Sequence, residues 1–281
     1  MTRGTTPATT APRGPRQSPR RGQEPAPPGV LRASPRAARV PHRPWPPTVC
    51  EMPKARHAAD AEASEGGRVT QERTVQVLLD RHGTTYAAQA GITLRNKPAP
   101  LYRLLVLSLL LSARISADIA VRAAHALFAA GFRTPQAMAG ATWQQRVDAL
   151  GEGGYRRYDE RTSTMLGEGA DLLRDRWRGD LRRLRDQSGS TEQIRAGLQE
   201  FPGIGPTGAD IFCREVQGLW SELAPCLDKK TLDGAERLGL PTTPGRLARL
   251  VDAGDLPALA AGCVRAALSR DVVDDVREHA R

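Results

Sequence analysis

Apolar residues recur at intervals of three and four positions along most of the chain beyond residue 68. This spacing predicts amphipathic helices, because the side chains of a half-buried strand would alternate with a period of two. The most apolar stretch, residues 104–111, is interrupted by Ser108 and predicts a central buried helix over residues 101–112. The hydrophobic pattern therefore indicates an all-α fold.

Helix-start signals lie between these apolar segments. The residues that are predicted to cap the N-terminus of a helix are Ser116, Thr134, Thr142, Ser190 and Asp228. Thr142 with Gln145, and Ser190 with Gln193, have the three-residue spacing of a capping box. A long helix is predicted from about residue 160 to residue 177, where apolar residues again recur at helical intervals.

The segment 201–209, Phe-Pro-Gly-Ile-Gly-Pro-Thr-Gly-Ala, separates two predicted helices. Gly203 and Gly205 flank Ile204 and permit a tight backbone turn. The proline before them ends the first helix, and the proline after them suits the first turn of the second helix. The segment is therefore predicted to be a helix-hairpin-helix.

A hairpin of this kind has a physical reason to bind phosphate. The first N–H groups of the second helix have no partner within the helix, and together with the hairpin amides they form an anion site. No base is read, so the contact is independent of sequence. The residues that are predicted to bind DNA here are Gly203, Ile204, Gly205, Thr207 and Gly208. The alternative is a tight corner between two helices that holds no ligand.

On these residues the chain resembles the helix-hairpin-helix (HhH-GPD) superfamily of DNA glycosylases, of the endonuclease III type. Residues 104–118, an apolar helix ending in Ser-Ala-Arg with Ser-Ala-Asp after it, are similar to a second family segment. The resemblance spans roughly residues 68 to 240. It implies two helical lobes, a groove between them that receives an extrahelical base, double-stranded DNA as the partner, and base-excision repair as the process.

The resemblance and the composition together suggest the domain organisation. Residues 1–60 are predicted to be a disordered tail, and residues 61–281 a glycosylase-like domain. Within that domain, residues 115–225 are expected to form the lobe with the hairpin. Residues 61–114 plus 226–281 are expected to form the second lobe.

The tail carries most of the excess positive charge. Residues 1–60 contain 13 of the 22 prolines and have eleven basic and three acidic residues, so they account for +8 of the formal charge of +10. Such a segment cannot bury enough apolar surface to offset its ordering entropy. It is either a basic arm that holds DNA phosphates or a segment without a role, with Met52 as the true start. The remainder is almost neutral, so any DNA surface there must be local.

Asp228 is the candidate catalytic residue. In the family an aspartate follows the second hairpin helix and a loop, and Leu-Asp-Lys-Lys-Thr at 227–231 occupies that place. Cleavage of an N-glycosidic bond creates positive charge on the sugar, and a carboxylate near C1′ stabilises it. The alternative role of Asp228 is to cap the helix that begins at Lys229, and both roles can coexist.

The lysine nucleophile of bifunctional family members is missing. It follows the hairpin in Pro-Gly-x-Gly-x-Lys, and this chain has Thr207 at that position. The resemblance therefore implies a monofunctional N-glycosylase without AP-lyase activity, in which Lys229 and Lys230 bind phosphate. The alternative for an enzyme is that Lys229 or Lys230 supplies the amine from the other side. Two alternatives are a non-catalytic DNA-binding relative and a helical interaction protein that uses its hairpin only for packing.

Two further regions are predicted to contact DNA. Arg114 occupies a position where the family often has a glutamine that fills the gap left by a flipped base. The predicted loop over residues 150–158 corresponds to a family loop that approaches the DNA backbone, and its candidate contacts are Gly154, Tyr155 and Arg156. The alternative is an ordinary solvated loop between helices.

The cysteines predict no metal site. The four are Cys50, Cys213, Cys226 and Cys263, and they lack ligand spacing. Relatives with an iron–sulfur cluster carry four closely spaced C-terminal cysteines, so the cluster is expected to be absent. A monovalent cation on the carbonyls of residues 201–205 is left open by the resemblance.

The apolar run at 104–111 is much shorter than the roughly 20 residues that span a bilayer. No hydrophobic region follows the basic N-terminus, which argues against a signal peptide. A cytoplasmic monomer that does not interact with membranes is therefore expected.

Overall fold

The computed structural model describes residues 69–281, so the predicted tail lies outside the described residues. Within this range the chain forms helices and turns and contains no strand, which confirms the all-α prediction. The α-helices are α1 (69–82), α2 (Tyr86–Gln89), α3 (Pro98–Leu111), α4 (Ala117–Ala129), α5 (Pro135–Gly140), α6 (Trp143–Glu152), α7 (Asp159–Trp177), α8 (Leu181–Gln187), α9 (Thr191–Gln199), α10 (Pro206–Val216), α11 (Lys229–Arg237), α12 (Pro244–Ala248), α13 (Leu256–Leu268) and α14 (Arg270–His279). Short 3₁₀ turns lie at Ser221–Leu223 and Ala253–Asp255.

The predicted caps are present at the helix starts. The Ser116 hydroxyl accepts the N–H of Ile119, and the box at α6 is complete, with Thr142 and Gln145 bonded in both directions. At α9 the Ser190 hydroxyl accepts the N–H of Gln193, but the Gln193 side chain accepts from Gly189 instead. The helix starts were therefore predictable from local sequence.

The helix α3 is the central buried element that its composition predicts. Nine of its fourteen residues are buried, and they lie on all sides of the helix. Ser108 is the only polar residue in the apolar run 104–111 of this helix. Its hydroxyl donates a hydrogen bond to the Leu104 carbonyl at 2.8 Å. This bond satisfies the buried hydroxyl within the helix, so the polar residue needs no partner from elsewhere.

The buried apolar residues form two clusters. The larger cluster contains buried residues of the helices from α2 through α10, including α3 and the two helices of the hairpin. The smaller one joins α1 to α11, α12, α13 and α14. The predicted lobe boundary at residue 114 does not coincide with this division, because α3 is apolar all round and is buried in the larger cluster. The lobe boundaries themselves remain a prediction.

The helix α11, which begins next to Asp228, is seated on α13 by a close backbone contact. A Cβ atom at Gly234 would overlap the carbonyl oxygen of Cys263, so only glycine permits this approach.

Among residues 69–281 no helix combines the length and the apolar character needed to cross a bilayer.

Candidate active site and nucleic-acid interface

The hairpin joins α9 to α10 through the turn that the sequence predicts. Gly203 has a φ of +82°, which lies in the left-handed region that favours glycine. The Ile204 N–H donates to the Phe201 carbonyl at 3.0 Å and closes the turn. Gly205 has a φ of −90° and is the N-cap residue of α10. The two glycines therefore serve different purposes, and Gly203 alone needs a positive φ.

The inner side of the hairpin is fixed by packing. The Ile204 side chain is buried, as is Phe201, whose ring stacks on Trp177 with centroids 5.4 Å apart. A Cβ atom at Gly203 would come 2.7 Å from the sulfur of Met165 and 3.2 Å from a methyl group of Leu109. The hairpin is thus held against α7 and α3, and its other side is left exposed.

The exposed side presents unpaired backbone donors. The exposed residues Gly203, Gly205 and Thr207 have N–H groups without a hydrogen-bond partner among residues 69–281, whereas Gly208, whose N–H also has no partner there, is buried. The first turn of α10 contains no acidic residue that would repel an anion. By contrast, the amide of Ile204 is used inside the turn, so this residue contributes packing and not a free donor.

Asp228 is held by three hydrogen bonds. As the N-cap of α11, its Oδ1 accepts the Thr231 N–H at 3.1 Å and the Thr231 hydroxyl at 2.7 Å. Its Oδ2 accepts from Nη1 of Arg214, on α10, at 2.5 Å. The two charged side chains are only 14% and 10% exposed. The predicted cap is confirmed, and it coexists with an ion pair that fixes the carboxylate.

A groove with a volume of about 700 Å³ lies over this pair. Its lining residues come from α2, the end of α3, the start of α4, the loop between these two, α10, α11 with its N-cap residue, and α13. Thr207, at the start of α10, and Asp228 both line it, together with Lys229 and Lys230. The structure therefore brings the candidate catalytic residue and one residue of the hairpin segment to the same open space.

Each carboxylate in the groove lining has a basic partner. Asp210 pairs with Arg195 of α9, and Asp228 pairs with Arg214. Asp233 accepts from Lys229 at 2.8 Å and lies 3.7 Å from the Lys230 ammonium. The hydrogen bond to Asp233 raises the pKa of Lys229, whose side chain is 90% exposed.

Arg114 lies on the other side of the loop between α3 and α4. It lines a second cavity of about 250 Å³ beside Gly203, Tyr158 and Arg161. Ser112 and Ala113 line both this cavity and the groove. Arg114 is exposed, and the segment that carries it separates the two spaces.

The predicted loop over residues 150–158 is shorter than expected, because α6 continues to Glu152. Gly154 is exposed with a φ of +83°. Tyr155 is buried, and its hydroxyl accepts a hydrogen bond from Thr162, so its ring packs in the core and is not free to contact DNA. Arg156 is exposed but lines a separate cavity beside Glu152.

Sequence reasoning missed Arg214 and its neighbour Glu215. Glu215 is fully buried and accepts the N–H groups of Tyr86 at 3.1 Å and Ala87 at 2.9 Å, which anchors α2 to α10. Burial raises the pKa of this carboxyl. The available signal was two adjacent charges in the last turn of α10, between the apolar segment 211–213 and Val216.

A search of solved structures finds a likeness to endonuclease III, in a structure described as a trapped covalent intermediate with DNA in an estranged-adenine complex. The sequences are 17% identical, and the match covers 69% of this chain and 84% of that chain with a TM-score of 0.40. No protein-family model matches the chain, and the search of curated proteins finds no match. A TM-score of 0.40 marks a partial likeness, so the function of this chain has to be inferred from its own residues.

Proposed function

We propose that this protein binds double-stranded DNA and is a monofunctional DNA N-glycosylase of base-excision repair. The observation that carries the proposal is the shared groove, in which a fixed carboxylate, Asp228, lies along the same space as Thr207 at the start of the hairpin's second helix. A strand whose phosphate is held at the hairpin would present its neighbouring nucleotide to that groove.

The hairpin supports the DNA-binding part of the proposal. The free amides of the exposed residues Gly205 and Thr207 lie at the start of an eleven-residue helix, where the helix dipole favours an anion. These donors are backbone groups, so they suit a phosphodiester of any sequence.

The environment of Asp228 supports the chemical part. The Asp228 carboxylate accepts hydrogen bonds from Thr231 and from the Arg214 guanidinium, which hold it in one position, as stabilisation of a positively charged sugar requires. Three donors occupy three of its roughly four acceptor directions, which leaves one for a water molecule or the sugar.

The choice of water as the nucleophile follows from the lysines. Thr207 has no amine, and the ammonium groups of Lys229 and Lys230 both face Asp233. The raised pKa of Lys229 keeps its amine protonated and therefore not nucleophilic. Hydrolysis without strand cleavage is the expected outcome.

The test is a single-turnover base-release assay on a panel of damaged duplexes, with the wild type compared with Asp228→Asn. We expect base release that produces a strand break only after alkali and that is lost in Asp228→Asn. A break without alkali would contradict the monofunctional assignment. Release that persists in Asp228→Asn would contradict the role of the carboxylate.

A non-catalytic DNA-binding protein is the second candidate, and one observation favours it. Arg214 neutralises the charge of Asp228 at 2.5 Å, an arrangement that also suits a purely structural cap. This candidate predicts salt-sensitive duplex binding with no base release on any substrate of the panel.

A further inference from the structure

The groove contains one buried guanidinium whose hydrogen-bonding capacity is largely unused. An arginine has five N–H donors, but the Arg214 side chain makes a single hydrogen bond within residues 69–281, from Nη1 to Asp228. The other nitrogens of the group, Nε and Nη2, have no hydrogen-bond partner within these residues, and neither atom is buried. They therefore reach open space, and the open space that Arg214 lines is the groove.

The surroundings of Arg214 favour a flat, uncharged ligand over a second phosphate. The basic residues in the lining are Arg214, Lys229 and Lys230, and the acidic ones are Asp210, Asp228 and Asp233, so the lining has no net charge. Most other walls are apolar, namely Leu111, Ile115, Ile211, Val264 and Leu268. A mostly apolar site with a few fixed donors is typical of small organic ligands such as a nucleobase.

We propose that Arg214 selects the extruded base by donating hydrogen bonds from Nε and Nη2 to acceptor atoms on the base edge. This inference rests on the proposed DNA-binding function. It assigns Arg214 as a specificity-determining residue and predicts the substrate class. The class is purines that present a carbonyl oxygen beside an unprotonated ring nitrogen, as guanine and hypoxanthine do.

The geometry couples this choice to the reaction site. Asp228 accepts from Nη1 and so holds one end of the guanidinium, and Asp228 itself also lines the groove. A base that accepts from Nε and Nη2 would therefore bring its sugar next to Asp228. Adenine presents an amino group where hypoxanthine presents the carbonyl, and two donors would then face each other.

Hypoxanthine and adenine provide a matched pair of probes with the same shape. Each is placed once in a duplex as a 2′-fluoroarabino nucleotide, whose fluorine slows glycosidic cleavage by destabilising positive charge on the sugar. The opposite position carries a tetrahydrofuran spacer, so that no base pair has to be broken. Binding of the full-length protein is measured by fluorescence anisotropy, which requires no catalytic activity.

We expect the wild type to bind the hypoxanthine duplex about tenfold more tightly than the adenine duplex. In Arg214→Met this ratio should fall to about one. Arg214→Lys should give an intermediate ratio, because an ammonium keeps the charge but lacks the planar fork. Arg183→Met is the control: Arg183 is exposed on α8, outside the groove lining, and its loss should leave the ratio unchanged.

Equal affinity of the wild type for the two duplexes would overturn the inference and leave the proposed function standing. A preference that survives in a folded Arg214→Met protein would also overturn it. If circular dichroism shows that Arg214→Met does not fold, an affinity ratio in Arg214→Lys equal to that of the wild type would overturn the inference instead. Absence of binding to either duplex would instead refute the proposed function.

Discussion

The hairpin and the groove are built in opposite ways, although α10 contributes to both. The hairpin uses backbone groups of one continuous segment, residues 201–209, and its donors are exposed. The groove uses side chains from separate helices, and its central pair, Arg214 and Asp228, is almost completely buried. The hairpin suits a ligand that is bound independently of its sequence, and the groove suits a ligand of defined shape.

The difference shows how the two regions would share the recognition of one nucleotide. Backbone amides hold any phosphate equally well, so on the proposed function the hairpin would contribute affinity but no choice between bases. A buried guanidinium with unused donors would bind a base more weakly when the base edge offers no acceptors, so the groove would contribute the selection between bases. Mutations in the two regions should therefore differ in kind, which the following predictions examine.

The largest effect is expected in the groove. Arg214→Met leaves Asp228 as a buried charge without its partner, and should lower the free energy of unfolding by about 3 kcal/mol. Adding Asp228→Asn removes that charge and should restore part of the loss. Urea titration measures both, and a double variant that loses the full sum of the two single effects would contradict the coupling. Arg174→Met, whose exposed pair with Asp171 contributes little, is the control.

The next effect separates the two hairpin glycines. Gly203→Val forces a β-branched residue to a φ of +82° and against Met165, and should cost about 2 kcal/mol. Gly205→Val has an ordinary φ and open space around the new Cβ, and should cost less than about 1 kcal/mol. Thermal unfolding of the two variants under one condition compares them. Equal losses would mean that the turn is not held as the structure shows it.

A smaller effect concerns the anchoring of α10. Because burial raises the pKa of Glu215 above its ordinary value of 4.5, its contribution to stability is fully present below that pH. It is lost as the pH rises through the raised pKa of the folded state. Urea midpoints against pH should show this decline in the wild type and lack it in Glu215→Gln. A decline of the same size in the variant would assign it to another group.

The smallest effect on stability tests whether Thr207 and Asp228 share a site. Thr207 is exposed, so Thr207→Lys should change stability by less than about 0.5 kcal/mol. The new amine lines the groove and should condense with the aldehyde of an abasic site, losing water to form an imine. Borohydride reduction would then give a protein–DNA adduct on a denaturing gel. DNA binding without an adduct would contradict the shared groove.

The sequence predicted the parts of the molecule whose cause is local. The hairpin, the cap at Asp228 and the buried α3 each follow from a few adjacent residues. Tyr155, a candidate DNA contact in the sequence, is buried in the structure, because distant helices pack around it. Arg214 was missed for the same reason, since its partner lies fourteen positions away and both α10 and α11 pack against α13.

The most direct test of the central claim is the affinity of Gly205→Val for a DNA duplex at low salt. Gly205 is exposed with open space around it, so the fold has room for the added side chain, which we expect to hinder the approach of a phosphate to the hairpin amides. Gly254→Val, at another glycine with open space, is the matched control. We predict that Gly205→Val binds at least about tenfold more weakly than the wild type, while Gly254→Val binds equally well. Equal affinity of a folded Gly205→Val protein would show that the hairpin serves only packing.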